Sequence, residues 1–227
     1  MSTQESEVSF IFDSDALIQI FIAGQYHIFG TLASFFNVRS YIMNEVDIEL
    51  RSNKKFGALI KPKLDKALKS GTLKLLSASD LDRLAESGLS PVSLMDIRQL
   101  GAEFALEVGK GEAYSHAAGV LLNTPVVSND MNAIRVLEAK GRKLPPTILR
   151  SYDLFGFLLT EKHISLKDAE QILQELKSQG EWMPQDLKHK SFEDGLPHIH
   201  CRLSTSLGVA ASSSWSATFY LKRSTEE

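Results

Sequence analysis

The chain contains the stretch Val8-Ser-Phe-Ile-Phe12, which is followed at once by Asp13-Ser-Asp15 and by the largely apolar residues 16–23. This stretch gives the strongest indication of the fold. The β-branched and aromatic side chains from Val8 to Phe12 predict a buried strand. Short polar side chains such as those of residues 13–15 favour a turn, and they can cap the helix that residues 16–23 predict. The chain therefore opens with a strand, a turn and a helix.

Outward from this unit, short strands alternate with longer helices. Apolar residues at helical spacing predict the helices, and Gly or Pro residues separate them. The predicted helices span residues 28–36, 45–53, 61–70, 81–87, 94–107, 111–122, 132–140, 147–160 with Thr147 as cap, and 166–178 with Ser165 as cap. Further strands are predicted at residues 73–76 and 125–128. This alternation is typical of an α/β fold with a parallel sheet.

The length and composition predict one globular domain with an appendage. The chain has 227 residues, of which 43% are hydrophobic and 23% are charged. From about Lys188 the helical periodicity stops, and residues 204–216 are rich in Ser, Ala and Gly. We therefore predict one domain over residues 1–187 and a C-terminal tail or small extension over residues 188–227.

The sequence predicts a cytoplasmic protein without a membrane segment. No cationic run precedes an apolar stretch near the N-terminus, and the first apolar stretch is interrupted by Asp13 and Asp15. Cys201 is the single cysteine, which excludes an intramolecular disulfide and fits a reducing compartment. Because the net charge is -3, a polyanionic partner needs a local basic patch or metal ions.

Acidic residues follow the predicted strands and begin the predicted helices. Asp13 and Asp130 each come directly after a strand, and the carboxyl ends of parallel strands share the edge where ligands bind. Glu112 begins a helix after two glycines. Glu45 and Glu49 share one helix face, and either can point to this edge. Carboxylates at one edge repel each other unless a cation or a proton intervenes, so we expect Mg²⁺ or Mn²⁺.

Four motifs that contain these acids resemble, in chain order, the motifs of PIN-domain nucleases. They are Phe-Ile-Phe-Asp13-Ser-Asp-Ala-Leu, Ile-Met-Asn-Glu-Val-Asp-Ile-Glu49-Leu, Gly-Lys-Gly111-Glu112-Ala and Val-Val-Ser-Asn-Asp130. The segment from Pro-Pro-Thr147 to Gly180-Glu-Trp-Met is similar to the closing helices of one bacterial and archaeal branch. The resemblance covers residues 8–184.

The resemblance implies a three-layer PIN-like fold and an endoribonuclease that uses Mg²⁺ or Mn²⁺. Asp13 and Asp130 would be the central metal ligands, while Glu49, the better match to the second acid of the family, and Glu112 would place metal or water. Asp15 departs from the family, which more often has Asn or Ser at this position. The resemblance is to the VapC-like toxin ribonucleases, which implies an RNA substrate, a cognate antitoxin protein and a homodimer.

Two other functions fit the same residues. Asp13 and Asp15 resemble the nucleophile and general acid of haloacid-dehalogenase-like phosphatases, although that family expects Thr or Val at Leu17. A non-catalytic PIN-like binding module can also keep all four acids. Lysines at positions 54, 55, 61, 63, 66 and 69 can contact phosphates, but a solvated helix face is the simpler interpretation.

Overall fold

The computed structural model describes residues 8–86, 91–181, 183, 199–200 and 218–219. Its centre is a five-stranded sheet in the order β3-β2-β1-β4-β5, and all four strand pairs are parallel. Ten helices connect and flank these strands in the described part of the chain. The predicted α/β fold is therefore confirmed, and the architecture is consistent with a three-layer PIN-like fold.

Strand β1 (Val8–Phe12) lies in the middle of the sheet. The chain adds β2 (Val38–Ile42) and β3 (Lys74–Leu75) on one side of β1. It then returns to add β4 (Val126–Val127) and β5 (Ile148–Leu149) on the other side. The direction of strand addition thus reverses between β1 and β4, and ligands of open parallel sheets bind at such a switch point.

The helices follow the strands closely. They are α1 (Ser14–Ile22), α2 (Ile28–Phe36), α3 (Asn44–Ser52), α4 (Gly57–Ser70), α5 (Ala78–Glu86), α6 (Leu94–Phe104), α7 (Lys110–Leu121), α8 (Met131–Ala139), α9 (Ser151–Thr160) and α10 (Leu166–Ser178). As predicted, Ser165 caps α10, and it forms a capping box with Asp168. No helix in the described ranges is both long and apolar enough to cross a membrane.

The core is built on both faces of β1. Phe10, Ile11 and Phe12 are all fully buried, although successive residues of a strand point to opposite faces. Helices must therefore cover both sides of the sheet, as in three-layer α/β folds. The ring of Phe12 packs edge-to-face on Phe29 of α2, with 5.1 Å between ring centroids.

Two strands of the central sheet are absent from the sequence prediction. β2 was not predicted because Arg39 and Ser40 interrupt its apolar pattern, yet it pairs with β1 along its whole length. The prediction of a helix over residues 147–160 with Thr147 as cap is wrong in its first turn. Ile148–Leu149 instead pair with β4, and α9 begins only at Ser151. Pairing with a buried neighbouring strand has overridden the local cap signal.

The predicted C-terminal extension lies largely outside the described residues. Within residues 188–227, the structure describes only β6 (Ile199–His200) and β7 (Thr218–Phe219), which pair in antiparallel fashion. The division into residues 1–187 and 188–227 stays a prediction.

Removing the ring of Phe10 should destabilise the fold strongly. Phe10→Ala should lower the free energy of unfolding by about 3–5 kcal/mol, because it leaves a cavity beside the central strand. Leu106→Ala is the control, since Leu106 is 84% exposed, and it should change this free energy by less than about 0.5 kcal/mol. Urea unfolding followed by circular dichroism measures both. Equal unfolding midpoints for the two variants would contradict the central placement of β1.

Candidate metal centre

Asp13 is held rigidly at the end of β1. Its carboxylate is fully buried, and its oxygens accept hydrogen bonds from the backbone N–H of Ser14 at 2.6 Å and from Ser128 Oγ at 2.9 Å. Its own N–H donates to the carbonyl of Val127 in β4 at 2.9 Å. Asp13 is thus the N-cap of α1 and is fixed to both strands of the switch point.

A compact triad of carboxylates lies beside Asp13. One carboxylate oxygen from each of Asp15, Glu112 and Asp130 can be chosen so that all three lie within 4.8 Å of one another. These residues come from the first turn of α1, the first turn of α7 and the N-cap of α8. Since oxygen ligands stand about 2.0–2.6 Å from Mg²⁺ or Ca²⁺, the three oxygens can surround one metal ion.

Ser128 connects the two acids that follow β1 and β4. Its hydroxyl donates to Asp13 and accepts a hydrogen bond from the backbone N–H of Asp130 at 3.4 Å. Asp130 Oδ1 in turn accepts from the N–H groups of Asn132 at 2.8 Å and Ala133 at 3.0 Å. One carboxylate oxygen of Asp130 is therefore used to cap α8, and the other is free of this role.

Asn129 fixes the loop between Ser128 and Asp130 to two further helices. Its side-chain amide exchanges hydrogen bonds with Ser151, donating to the hydroxyl at 3.0 Å and accepting from the backbone N–H at 3.0 Å. The Ser151 hydroxyl also donates to Gln19 Oε1 of α1 at 2.6 Å. This buried network limits the movement of the acids relative to each other.

Gly111 is the point where Glu49 approaches the other acids. A Cβ atom at Gly111 would overlap Glu49 Oε2 and would lie 3.1 Å from Ser14 Oγ and 3.3 Å from Asp13 Oδ1. Only a residue without a side chain allows these groups to meet. Glu49, rather than Glu45, is also the α3 acid whose charge acts on Asp15 and Glu112.

The structure thus brings all four predicted acids together and adds Asp15. We call this group the acidic cleft; its members are Asp13, Asp15, Glu49, Glu112 and Asp130. The sequence marked Asp15 only as a departure from the PIN pattern, whereas in the structure it belongs to the triad in place of Asp13. Glu181, which the sequence did not indicate, also acts on Asp15 and lies 3.6 Å from Lys55 Nζ.

Burial and mutual repulsion raise the pKa values of these carboxyl groups. Burial, and after it the charges of Glu112 and Asp15, raises the pKa of Asp13 well above its ordinary value. Burial, and after it the charges of Asp130 and Glu49, raises the pKa of Asp15 to about 6. Burial, and after it the charges of Glu49 and Asp15, raises the pKa of Glu112 to about 7. Protons or a cation must therefore compensate the charge of the cleft near neutral pH.

A buried hydroxyl also points into the cleft. Ser14 is fully buried, and its Oγ has no hydrogen-bond partner among the residues that the structure describes. The same hydroxyl stands beside Gly111, where Asp13 and Glu49 approach. This hydroxyl is therefore available to a ligand bound in the cleft.

Several of the lysines that could contact phosphates have partners within the protein. Lys63 Nζ donates to the carbonyl of Phe21 at 2.6 Å, and Lys66 Nζ donates to the hydroxyl of Tyr26 at 3.1 Å. Lys55 Nζ donates to the carbonyl of Gln179. These bonds fix α4 and the preceding loop to the last turn of α1, to Tyr26 and to the residue after α10, which favours the structural interpretation for these three lysines.

Comparison with known proteins identifies no relative of this chain. No protein-family model, no curated protein and no solved structure matches the chain. Membership of the PIN family therefore stays a prediction from the four motifs, and the function has to be inferred from the fold and the acidic cleft.

The raised pKa values predict that the metal-free protein loses stability as the pH rises. Asp15 and Glu112 bind protons more tightly in the folded state than their ordinary values of 3.8 and 4.5 allow. Their contribution to stability is complete below about pH 4 and is lost as the pH rises through about 6 and about 7. The melting temperature in EDTA should fall over this range.

Glu112→Gln should reduce this fall, because the amide stays uncharged. At about pH 8 its melting temperature should exceed that of the wild type by roughly 3–8 °C. Asp82→Asn, at an exposed position of α5, is the control and should follow the wild type. A wild-type melting temperature that rises from about pH 5 to about pH 8 in EDTA would show that the acids are not crowded in this way.

Proposed function

We propose that this protein is a metal-dependent endoribonuclease of the PIN type. The observation that carries the proposal is the triad of Asp15, Glu112 and Asp130 within 4.8 Å at the switch point of a parallel sheet. The order of the four acidic motifs along the chain supports the PIN assignment. RNA as substrate, and the role of toxin in a toxin-antitoxin pair, belong to the same proposal and rest on the resemblance.

The donor set of the cleft fits Mg²⁺ or Mn²⁺. Asp15, Glu112 and Asp130 would hold the ion, and all three offer carboxylate oxygens, which hard dications prefer. A bound dication lowers the pKa of water and neutralises charge on a phosphate, which is the chemistry that phosphodiester hydrolysis requires. The buried hydroxyl of Ser14 provides a further oxygen next to Asp13 and Glu49.

The chain itself also prepares the cleft for a phosphate. Helices α1, α7 and α8 all direct their N-termini to it, since Asp13, Gly109 and Asp130 are their N-caps. Helix N-termini carry partial positive charge, which favours anions. A phosphate group would therefore meet a favourable field from the backbone although the side chains are acidic.

The hydrogen bonds of Asp13 favour a nuclease over the phosphatase alternative. A nucleophilic aspartate needs an accessible oxygen. Asp13 is fully buried, and its two oxygens already accept from Ser14 and Ser128. Asp13 is thus better suited to orient its neighbours than to attack a phosphomonoester.

The proposal further includes a cytoplasmic location, a homodimer and a small protein partner that covers the cleft.

RNA cleavage tests the proposal directly. The full chain, shown by mass spectrometry to carry no copurified protein, is incubated with mixed single-stranded RNA in Mn²⁺, in Mg²⁺ or in EDTA. We expect cleavage only with a dication, and we expect Asp15→Asn and Asp130→Asn to lower kcat/KM on the order of 10²–10³-fold. Asp82→Asn should cleave at the wild-type rate.

A parallel incubation with a phosphomonoester separates the alternatives. Phosphate release that Asp13→Asn abolishes would establish the phosphatase instead. Dication binding by the wild type without turnover of either substrate would establish a binding module. Equal RNA cleavage in EDTA and in Mn²⁺ would rule out the metal mechanism.

Gly111→Ala should damage the cleft without damaging the fold. Alanine favours a helix by about 1 kcal/mol over glycine, so the melting temperature should not fall. The new Cβ would displace Glu49, and RNA cleavage should drop by roughly 10–100-fold. Gly30→Ala in α2 is the matched control, because its Cβ would make only an ordinary contact, 3.9 Å from Thr72 Cγ2. Equal activity of the two variants would mean that Glu49 has no role in cleavage.

A further inference from the structure

His116 is a fully buried histidine on α7, four residues after Glu112. Residues four apart share one face of a helix, so the imidazole and the Glu112 carboxylate project to the same side. Gly119 continues this face, and a Cβ atom there would overlap the side chain of Val126. His116 therefore lies on the face of α7 that packs against β4, the strand that leads to Asp130.

The imidazole of His116 has unusual surroundings. Neither of its ring nitrogens has a hydrogen-bond partner within the described part of the chain. Burial lowers the pKa of His116 to about 4, although the charge of Asp130 opposes this effect. The ring is therefore neutral at pH 7, with one N–H donor and one acceptor. Leaving both unpaired in a buried position is costly, so a functional partner is expected.

We propose that His116 is a positioning residue of the metal centre: its N–H group, which has no partner among the described residues, donates to the Asp130 carboxylate when the ion binds and orients it. This inference rests on the proposed function. Asp130 Oδ1 accepts from the N–H groups of Asn132 and Ala133, so the other oxygen is left for the ion and for a further donor. The side chain of His116, on the helix face next to β4, has a donor to offer. Hydrogen bonds to ligating carboxylates typically change metal affinity by about 10–100-fold.

Metal affinity gives the first test. The Kd for Mn²⁺ is measured on the full chain by electron paramagnetic resonance of the free ion. His116→Phe keeps an aromatic ring but has no N–H donor, and it should weaken Mn²⁺ binding by roughly 10–100-fold. Ser40→Ala is the matched control: Ser40 is also buried and its hydroxyl also has no described partner, but it lies inside β2, away from the edge that carries the acids. It should bind Mn²⁺ like the wild type.

A second test does not depend on the folding of the His116 variant. The ring nitrogens of His116 are assigned in the wild type by nuclear magnetic resonance through bonds to its own backbone. Adding diamagnetic Mg²⁺ should shift the signal of the imidazole N–H downfield, as a new hydrogen bond to a carboxylate does.

The outcomes separate this inference from the proposed function. If the wild type binds neither Mn²⁺ nor Mg²⁺, the metal centre and the role of His116 both fail. If the wild type binds the ion but His116→Phe binds it equally well, or the His116 signal does not move, only the positioning role is overturned. Weaker binding in His116→Phe together with a moving signal supports it.

Discussion

Repulsion among carboxylates that the fold confines in one cleft is the constraint on which the rest of the site depends. Three of them approach within 4.8 Å, and Asp13 is fully buried next to them. Burial removes the water that would screen these charges, and each acid raises the cost of ionising its neighbours. A protein does not keep such an arrangement for stability, because uncharged side chains of similar shape would pack with less strain. The crowded carboxylates could hold a metal ion.

The parallel sheet explains why acids so far apart in sequence meet. Asp13 and Asp130 extend from neighbouring strands that end at the same edge, and Ser128 bonds to both. Glu112 reaches this edge because α7 begins there, and the absence of a side chain at Gly111 lets α3 bring in Glu49. The apolar residues of β1 set the position of these elements, so the fully buried core determines the geometry of a polar site.

The sequence predicted the parts of this structure whose signals are local. The strand that ends at Asp13 and the helix after it are strongly patterned, and a cap residue stands between them. β2 was not predicted, because its strand structure depends on pairing with β1 and not on an apolar pattern of its own. The helix predicted from Thr147 gave way to β5 for the same reason.

The sequence predicted which acids meet in the candidate site. It did not predict which of them form the triad that can hold a metal ion. The family resemblance pointed to Asp13 as a central ligand, whereas in the structure Asp15 is the residue of that turn that joins Glu112 and Asp130. Two residues apart in sequence, their side chains leave the first turn of α1 in different directions, and only the tertiary structure determines which one faces the triad. The sequence did not identify His116 either. A histidine on an apolar helix can be related to a site only when the packing of α7 against β4 is known.

Asp13 and Asp15 differ in their surroundings: hydrogen bonds fix Asp13 in place, whereas Asp15 faces the other carboxylates. Asp13 has hydrogen bonds to Ser14 and Ser128, so its orientation is fixed and its oxygens are engaged. Asp15 is less buried, and carboxylates, not donors, dominate its surroundings. A group surrounded by like charges gains most from a cation, while a group surrounded by donors gains most from staying in place. Binding of a dication would therefore act through Asp15 together with Glu112 and Asp130, and would stabilise the folded state, because the unfolded chain does not bring these acids together.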